Sequence, residues 1–287
     1  MPEGRAVSFL AFSALFLACI LLGRAFDWWW LAPGDRPESR WVLALVAGWV
    51  ALYAVSMVLS LCGIPWSWWS VGLPVLVLVA LARRQRRLRR QETARPAVAS
   101  TEVLSWQLGW GDTLAALALI AFAFFAARGE ILFPDFVYHW GTKAQKFALV
   151  RGVDWQYLAL RWLRELHHPE YPHLLPVLGA FTSLLAGFDA RAIGLWSVVA
   201  LIAIVLALRG ALRGAGAAPF TVQVATAWAG AGLSLFGINY LLAGSADPFP
   251  ALALAVAMPA LLLPRAALGA AHDIQIGLAA ALAASAK

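Results

Sequence analysis

The stretch FPDFVYHWGTKAQKF, Phe133–Phe147, decides how this sequence is read. It follows closely on Leu114–Ala127, an apolar run without a charge, and at once presents Asp135, Tyr138, His139, Trp140, Lys143 and Lys146. On a helix beginning at Asp135, the residues Asp135, His139, Lys143 and Lys146 share one face, while Phe136, Trp140, Ala144 and Phe147 share another. A helix divided in this way lies in the plane of a membrane surface with its apolar side turned to the lipid. The stretch therefore reads as the exit of a membrane span and the start of a polar layer outside it.

Composition agrees with that reading. Of 287 residues, 62% are hydrophobic and 13% charged, and the mean hydropathy is +0.75. Soluble domains run at roughly 45–50% apolar and 25% charged, so that class is excluded. The chain is expected to be an all-α, polytopic transmembrane bundle. Candidate spans are Val7–Phe26, Trp41–Leu61, Trp66–Ala82, Leu114–Ala127, Pro172–Gly187, Ala190–Leu208, Phe220–Leu242, Phe249–Leu263 and Leu268–Ala284. The first is too long for a signal-peptide core and is expected to be retained. The tryptophan runs DWWWL (Asp27–Leu31) and WSWWS (Trp66–Ser70) are expected at the headgroup level, where indole rings settle.

The formal net charge of +7 gathers largely in RRQRRLRRQ, Arg83–Gln91, directly behind an apolar segment. A basic cluster in that position is a topology signal or a contact for anionic lipid, not a nucleic-acid site. Cys19 and Cys62 both lie in apolar segments and indicate neither a disulfide framework nor a zinc site. The organisation expected is an N-terminal group of transmembrane helices over 1–82, a basic cytoplasmic linker over 83–111, and a membrane core over 112–287 with an outer loop at 128–171. That loop alternates charges with aromatic and aliphatic residues. A second surface helix is expected to start with Asp154 as N-cap and to place Arg161, Arg164, Glu165 and His168 on one stripe.

With Arg83–Arg90 cytoplasmic, Leu114–Ala127 runs outward and the 128–171 loop is extracytoplasmic. Three full crossings would then put Asp135 and Asp247 on opposite sides. The short segment Pro172–Gly187 holds two prolines, and if it dips and returns, Asp247 joins Asp135 outside while Arg209 and Arg213 face the cytoplasm. Lys287 follows Leu268–Ala284 without a hydrophilic tail, so the core is expected to be C-terminally incomplete.

Three polar edges carry the chemistry. Asp135, after Pro134, suits an N-cap or a base. LHHPEYPHLLP, Leu166–Pro176, brings His167, His168, Glu170 and His173 together on a proline-stiffened backbone. It suits a hydrogen-bonding rim; His and carboxylate groups also suit zinc or manganese, but the spacing matches no standard ligand motif. Asp247, in AGSADPFPALAL (Ala243–Leu254), stands between two apolar segments as a cap for the next helix or as a group facing a partner. Lys143, Lys146, Arg161 and Arg164 on an outer surface run against the positive-inside trend, which a phosphate-bearing lipid would explain.

The element D-x-x-x-x-W-x-x-K-A at Asp135–Ala144, with HPEYPHLLP at His168–Pro176 and the acid at Asp247, resembles the GT-C class of integral-membrane glycosyltransferases. The relatives suggested are allied to protein O-mannosyltransferases and the aminoarabinose transferase, and the resemblance spans about Leu114–Ala284. It implies transfer of a sugar, with inversion, from a polyprenyl-phosphate carrier to a lipid, glycan or protein hydroxyl on the outer face of a bacterial inner membrane. It also implies that Asp135 is the general base and Asp247 the second-loop acid. On that reading Lys143 and either Arg161 or Arg164 hold the carrier phosphate, and His139, His168, Glu170, Tyr171 and Asp247 bind sugar or acceptor. Many relatives carry a second acid where Phe136 stands here, so no cofactor is assigned and a divalent metal ion is left open. The alternative is a transporter or flippase for a lipid-linked or small polar substrate, with the outer loop as its gate.

Overall fold

The computed structural model describes residues 3–27, 37–92, 108–130, 132, 136–160, 173–239, 243–262 and 270–286. Helices α1 (Glu3–Arg24), α2 (Pro37–Leu61), α3 (Trp68–Glu92) and α4 (Trp110–Arg128) come first. A π-helical turn, Phe136–Trp140, then leads into the shorter α5 (Gly141–Val150), α6 (Trp155–Leu158) and α7 (Leu174–Ala186). Helices α8 (Ala190–Gly214), α9 (Pro219–Asn239), α10 (Pro248–Leu262) and α11 (Ala270–Ala286) complete the bundle. The described residues contain no strand, only one isolated bridge between Leu132 and Ala243.

Among the described residues, five helices are long and apolar enough to cross a membrane: Ala6–Arg24, Pro37–Leu61, Trp110–Arg128, Ala190–Gly214 and Pro219–Ile238. Apolar composition makes them so, and close approach of small residues holds them together, as expected where lipid supplies no hydrophobic drive between helices. A Cβ on Gly48 would lie 1.9 Å from the Cys19 carbonyl oxygen, so α1 and α2 touch backbone to backbone. Gly230 meets Ala115 in the same way between α9 and α4.

The bundle has two distinguishable ends. At one end, called here the basic end, α2, α4 and α9 begin and α8 finishes. Five side chains from these helices form a largely buried polar network there. Arg209 pairs with Glu38 and with Asp112, the latter at 2.6 Å. Arg213 pairs with Glu38 at 2.6 Å. Gln223 donates to the Asp112 carboxylate at 3.1 Å, and its own side-chain oxygen accepts from the Gly111 N–H at 2.7 Å. Each charge is partnered, which is the condition for burying it at all.

At the opposite, loop end, α4 finishes at Gly129, in the left-handed region at φ 78. A Cβ there would lie 3.2 Å from the Arg191 side chain at the start of α8. The intervening 130–189 segment therefore begins and ends at one end of the bundle, and α7 makes no net crossing. Its thirteen residues span about 20 Å, too little for a bilayer core of about 30 Å.

Several local expectations are corrected. The stretch 83–111 is not linker throughout, because α3 continues through the arginine run to Glu92 and α4 begins at Trp110. Trp66 is no headgroup anchor: it is fully buried, stacks on Phe181 at 5.2 Å and donates its ring N–H to the Ser56 carbonyl. Trp69 of the same run is 80% exposed and keeps the outward role. Asp154 caps a helix as expected, accepting from the Tyr157 N–H at 2.9 Å, but that helix is the single turn Trp155–Leu158. The stripe Arg161, Arg164, Glu165 and His168 lies outside the described residues.

Candidate functional site

The loop end is assembled on a seam between two distant pieces of chain. Leu132 bridges Ala243, and the ring of Phe136 lies where a side chain on Gly244 would be, 2.4 Å from such a Cβ. Gly244 has φ 85, a left-handed conformation that glycine takes without penalty. Ser197 of α8 clamps the seam: its hydroxyl donates to the Ser245 carbonyl at 2.8 Å and accepts from the Gly244 N–H at 3.0 Å. Asp247 follows at the head of α10, exposed, with its carboxylate accepting from the Ser245 hydroxyl at 3.0 Å. Its carbonyl accepts from the Ala251 N–H, so it occupies the cap position before Pro248.

Asp135 lies outside the described residues; in the sequence it falls between Leu132 and Phe136. Arg161, Arg164, His168, Glu170 and Tyr171 also lie outside them. Of the expected site residues, His139, Lys143 and Asp247 are described, and all three belong to the loop end.

Lys143 departs from its expected surface position. It is fully buried, with its ammonium 5.3 Å from the centre of the Trp140 ring, while Lys146 is exposed and sits 5.5 Å from the Tyr157 ring. Lys143 shares the inward face of α5 with Ala144 and Phe147, the face that packs against α7. Phe136 of the π turn packs onto Gly141, where a Cβ would be 2.7 Å from the ring. His139, at half-buried exposure, stays at the rim.

His173, the last member of the histidine-rich stretch, faces the same interior. It is 6% exposed, lies edge-on to Phe147 at 5.4 Å, and its Nδ1 has no hydrogen-bond partner among the described residues. Tyr53 of α2 hydrogen-bonds to its backbone. Burial, and then the charge of Lys143, push its pKa down to about 3, so the ring is neutral at physiological pH. A neutral imidazole beside a buried ammonium can accept or donate one hydrogen bond without adding charge.

Arg151, Ser197 and Trp155 were not singled out in the sequence. Arg151 ends α5 at φ 53, the one non-glycine residue of positive φ among those described. Glycine is usual at such a position, and an L-residue there costs about 1–2 kcal/mol. The legible signal was an arginine directly before Gly152, where the helix had to stop.

Among the described residues, no group of three or more His, Cys, Asp or Glu is placed to hold a metal ion. No protein-family model, no curated protein and no solved structure matches this chain. The family resemblance therefore rests on the motifs quoted above.

Proposed function

We propose that the chain is a GT-C-like membrane glycosyltransferase that moves a sugar from a polyprenyl-phosphate carrier to an acceptor hydroxyl at the loop end of the bundle. The observation that supports this most is the Leu132–Ala243 seam, with Phe136 against Gly244. It draws the chain around Asp135 and the chain around Asp247 to one edge, as a base and a second acid acting on one substrate require. A base must lie within hydrogen-bond reach of the acceptor hydroxyl and opposite the departing phosphate. Asp135 has that role in the proposal, and Asp247, exposed and oriented by Ser245, binds sugar or acceptor. His139 lines the rim. Lys143, buried under Trp140, acts on the carrier phosphate through the field it adds to the site rather than by exposed contact.

The test is transfer of labelled sugar from a polyprenyl-phosphate donor by membranes containing the full chain, compared with Asp135→Asn and Asp247→Asn. Loss of turnover in Asp135→Asn at unchanged protein level supports the assignment. Full turnover in that variant overturns it. Movement of the lipid across the bilayer without cleavage of the sugar–phosphate bond would favour the flippase reading.

A further inference from the structure

One side chain joins the end of α10 to the start of α11. The ring of His272, in the first turn of α11, lies between two oxygens: its Nε2 is 3.1 Å from the Ala260 carbonyl of α10 and its Nδ1 is 3.0 Å from the Asp273 carboxylate. Ala260 is buried, and its carbonyl must find a donor outside its own helix, because the residue four positions on is Pro264, which has no N–H. A carbonyl at the C-terminal end of a helix also favours a positive partner. The His272 side chain is 17% exposed and that of Asp273 57%, so the first contact is sheltered and the second wet. Pro259 and Gln275 line a small void together with Ser39 of α2, the neighbour of Glu38, which places this joint at the basic end beside the buried ion network.

A carbonyl and a carboxylate accept hydrogen bonds and do not donate them, so both contacts are hydrogen bonds only when both ring nitrogens carry a proton. A neutral ring has a single N–H. It can serve Ala260 with a lone pair turned towards the carboxylate, or serve Asp273 and leave the carbonyl without its donor. From this geometry we propose that His272 is a proton-dependent latch between α10 and α11, closed when the ring is protonated and loosened when it is neutral. Imidazole is the side chain whose ordinary titration falls within the physiological range, so the latch responds to pH where other groups do not. Of the helices packed against α11, α10 and α7 hold no titratable residue. Helix α2 brings Glu38, Arg40 and Tyr53, none of which hydrogen-bonds or ion-pairs with the ring, and Glu38 is engaged by Arg209 and Arg213. The part released is the last turn of α10. Pro259 stands inside the helix just before that turn and takes the donor from the Ala255 carbonyl, so the turn is already weakly tied to the rest of its helix. The latch uses residues that the glycosyl-transfer proposal does not, and it stands whether or not a sugar is transferred.

The experiment is hydrogen exchange of the purified full chain in detergent, read at the amides of Ala260, Leu261 and Leu262 and corrected for the intrinsic pH dependence of exchange. The chains compared are the parent, His272→Gln and Asp273→Asn. In the parent, opening of this turn should become about fivefold more frequent from about pH 5.5 to about pH 8, as a charge-assisted contact at a helix end is lost. His272→Gln carries no titrating ring and should show the same opening at both pH values. In Asp273→Asn the new amide can donate to Nδ1 of a neutral ring, so both contacts survive loss of the proton and the pH dependence should disappear. Asp273 is exposed, so this second variant carries the test even if His272→Gln folds poorly. Opening in the parent that does not change with pH would overturn the proposal. So would an equal rise in the parent and in Asp273→Asn.

Discussion

Glu38 near the start of α2 and Arg209 near the end of α8 form a buried ion pair, 0% and 3% exposed in their side chains. Arg213 and Asp112 complete the charge balance, so two acids and two bases tie α2, α4 and α8 together at the end opposite Asp247. Removing one partner leaves the other charged, buried and without its main counter-ion, which costs about 3–5 kcal/mol. Glu38→Gln and Arg209→Met should each lower thermal stability in detergent by a wide margin. Combining them should cost less than the sum of the two, because the pair is desolvated together. An additive double variant would show that the two residues act separately.

The seam at the loop end predicts a strong effect from a small change. Gly244→Ala introduces a Cβ 2.4 Å from the Phe136 ring at a residue with φ 85. Ser197→Ala leaves the Gly244 N–H and the Ser245 carbonyl without their buried partner, at about 1–3 kcal/mol. Both variants should lose the sugar transfer proposed for this chain while the basic-end network keeps the bundle folded. Retained transfer in Gly244→Ala would separate the seam from function.

His173 gives the loop end a pH dependence with a definite sign. Its folded pKa is about 3, against 6.5 in an unperturbed state. Below pH 6.5 the unfolded chain takes up a proton that the folded chain refuses, so stability falls as pH drops from about 6.5 towards about 3. The slope from this group is at most about 1.4 kcal/mol per pH unit. His173→Phe should flatten the melting temperature across that window. An unchanged profile would assign the acid sensitivity to other groups.

Orientation can be read with the native cysteines. Cys62 is exposed at the turn after α2, at the loop end, and Cys19 is buried in α1. If the basic end faces the cytoplasm, a membrane-impermeant maleimide added to intact cells should label Cys62, and Cys62→Ser should abolish the signal. Labelling only in inverted vesicles would reverse the assignment.

Close helix contacts predict intolerance at α1–α2. Gly48→Leu must displace α1, because the Cys19 carbonyl oxygen is 1.9 Å from the first added carbon. The variant should lose thermal stability and raise the reactivity of Cys19 towards a small permeant thiol reagent. Gly214, whose Cβ would meet nothing within 4 Å, should accept alanine with little change.

What the sequence by itself determined follows from signals that act within a turn or two of chain. Apolar runs marked nine candidate spans, and five of them coincide with helices long and apolar enough to cross a membrane among the described residues. Asp154 announced a helix start, and its carboxylate accepts the capping N–H. The short Pro172–Gly187 segment, set against the positive-inside rule, led to Asp247 at the same end as the chain around Asp135. Tertiary structure decided matters that depend on what packs against a helix from far along the chain. Lys143, at the edge of the polar face, became interior because α7 packs against α5. Trp66 became a core residue because Phe181 lies against it, and Glu38 found Arg213 from 175 positions away. Periodicity specifies which face of a helix is apolar, but the burial of a residue at the edge of that face is set by its neighbours in space.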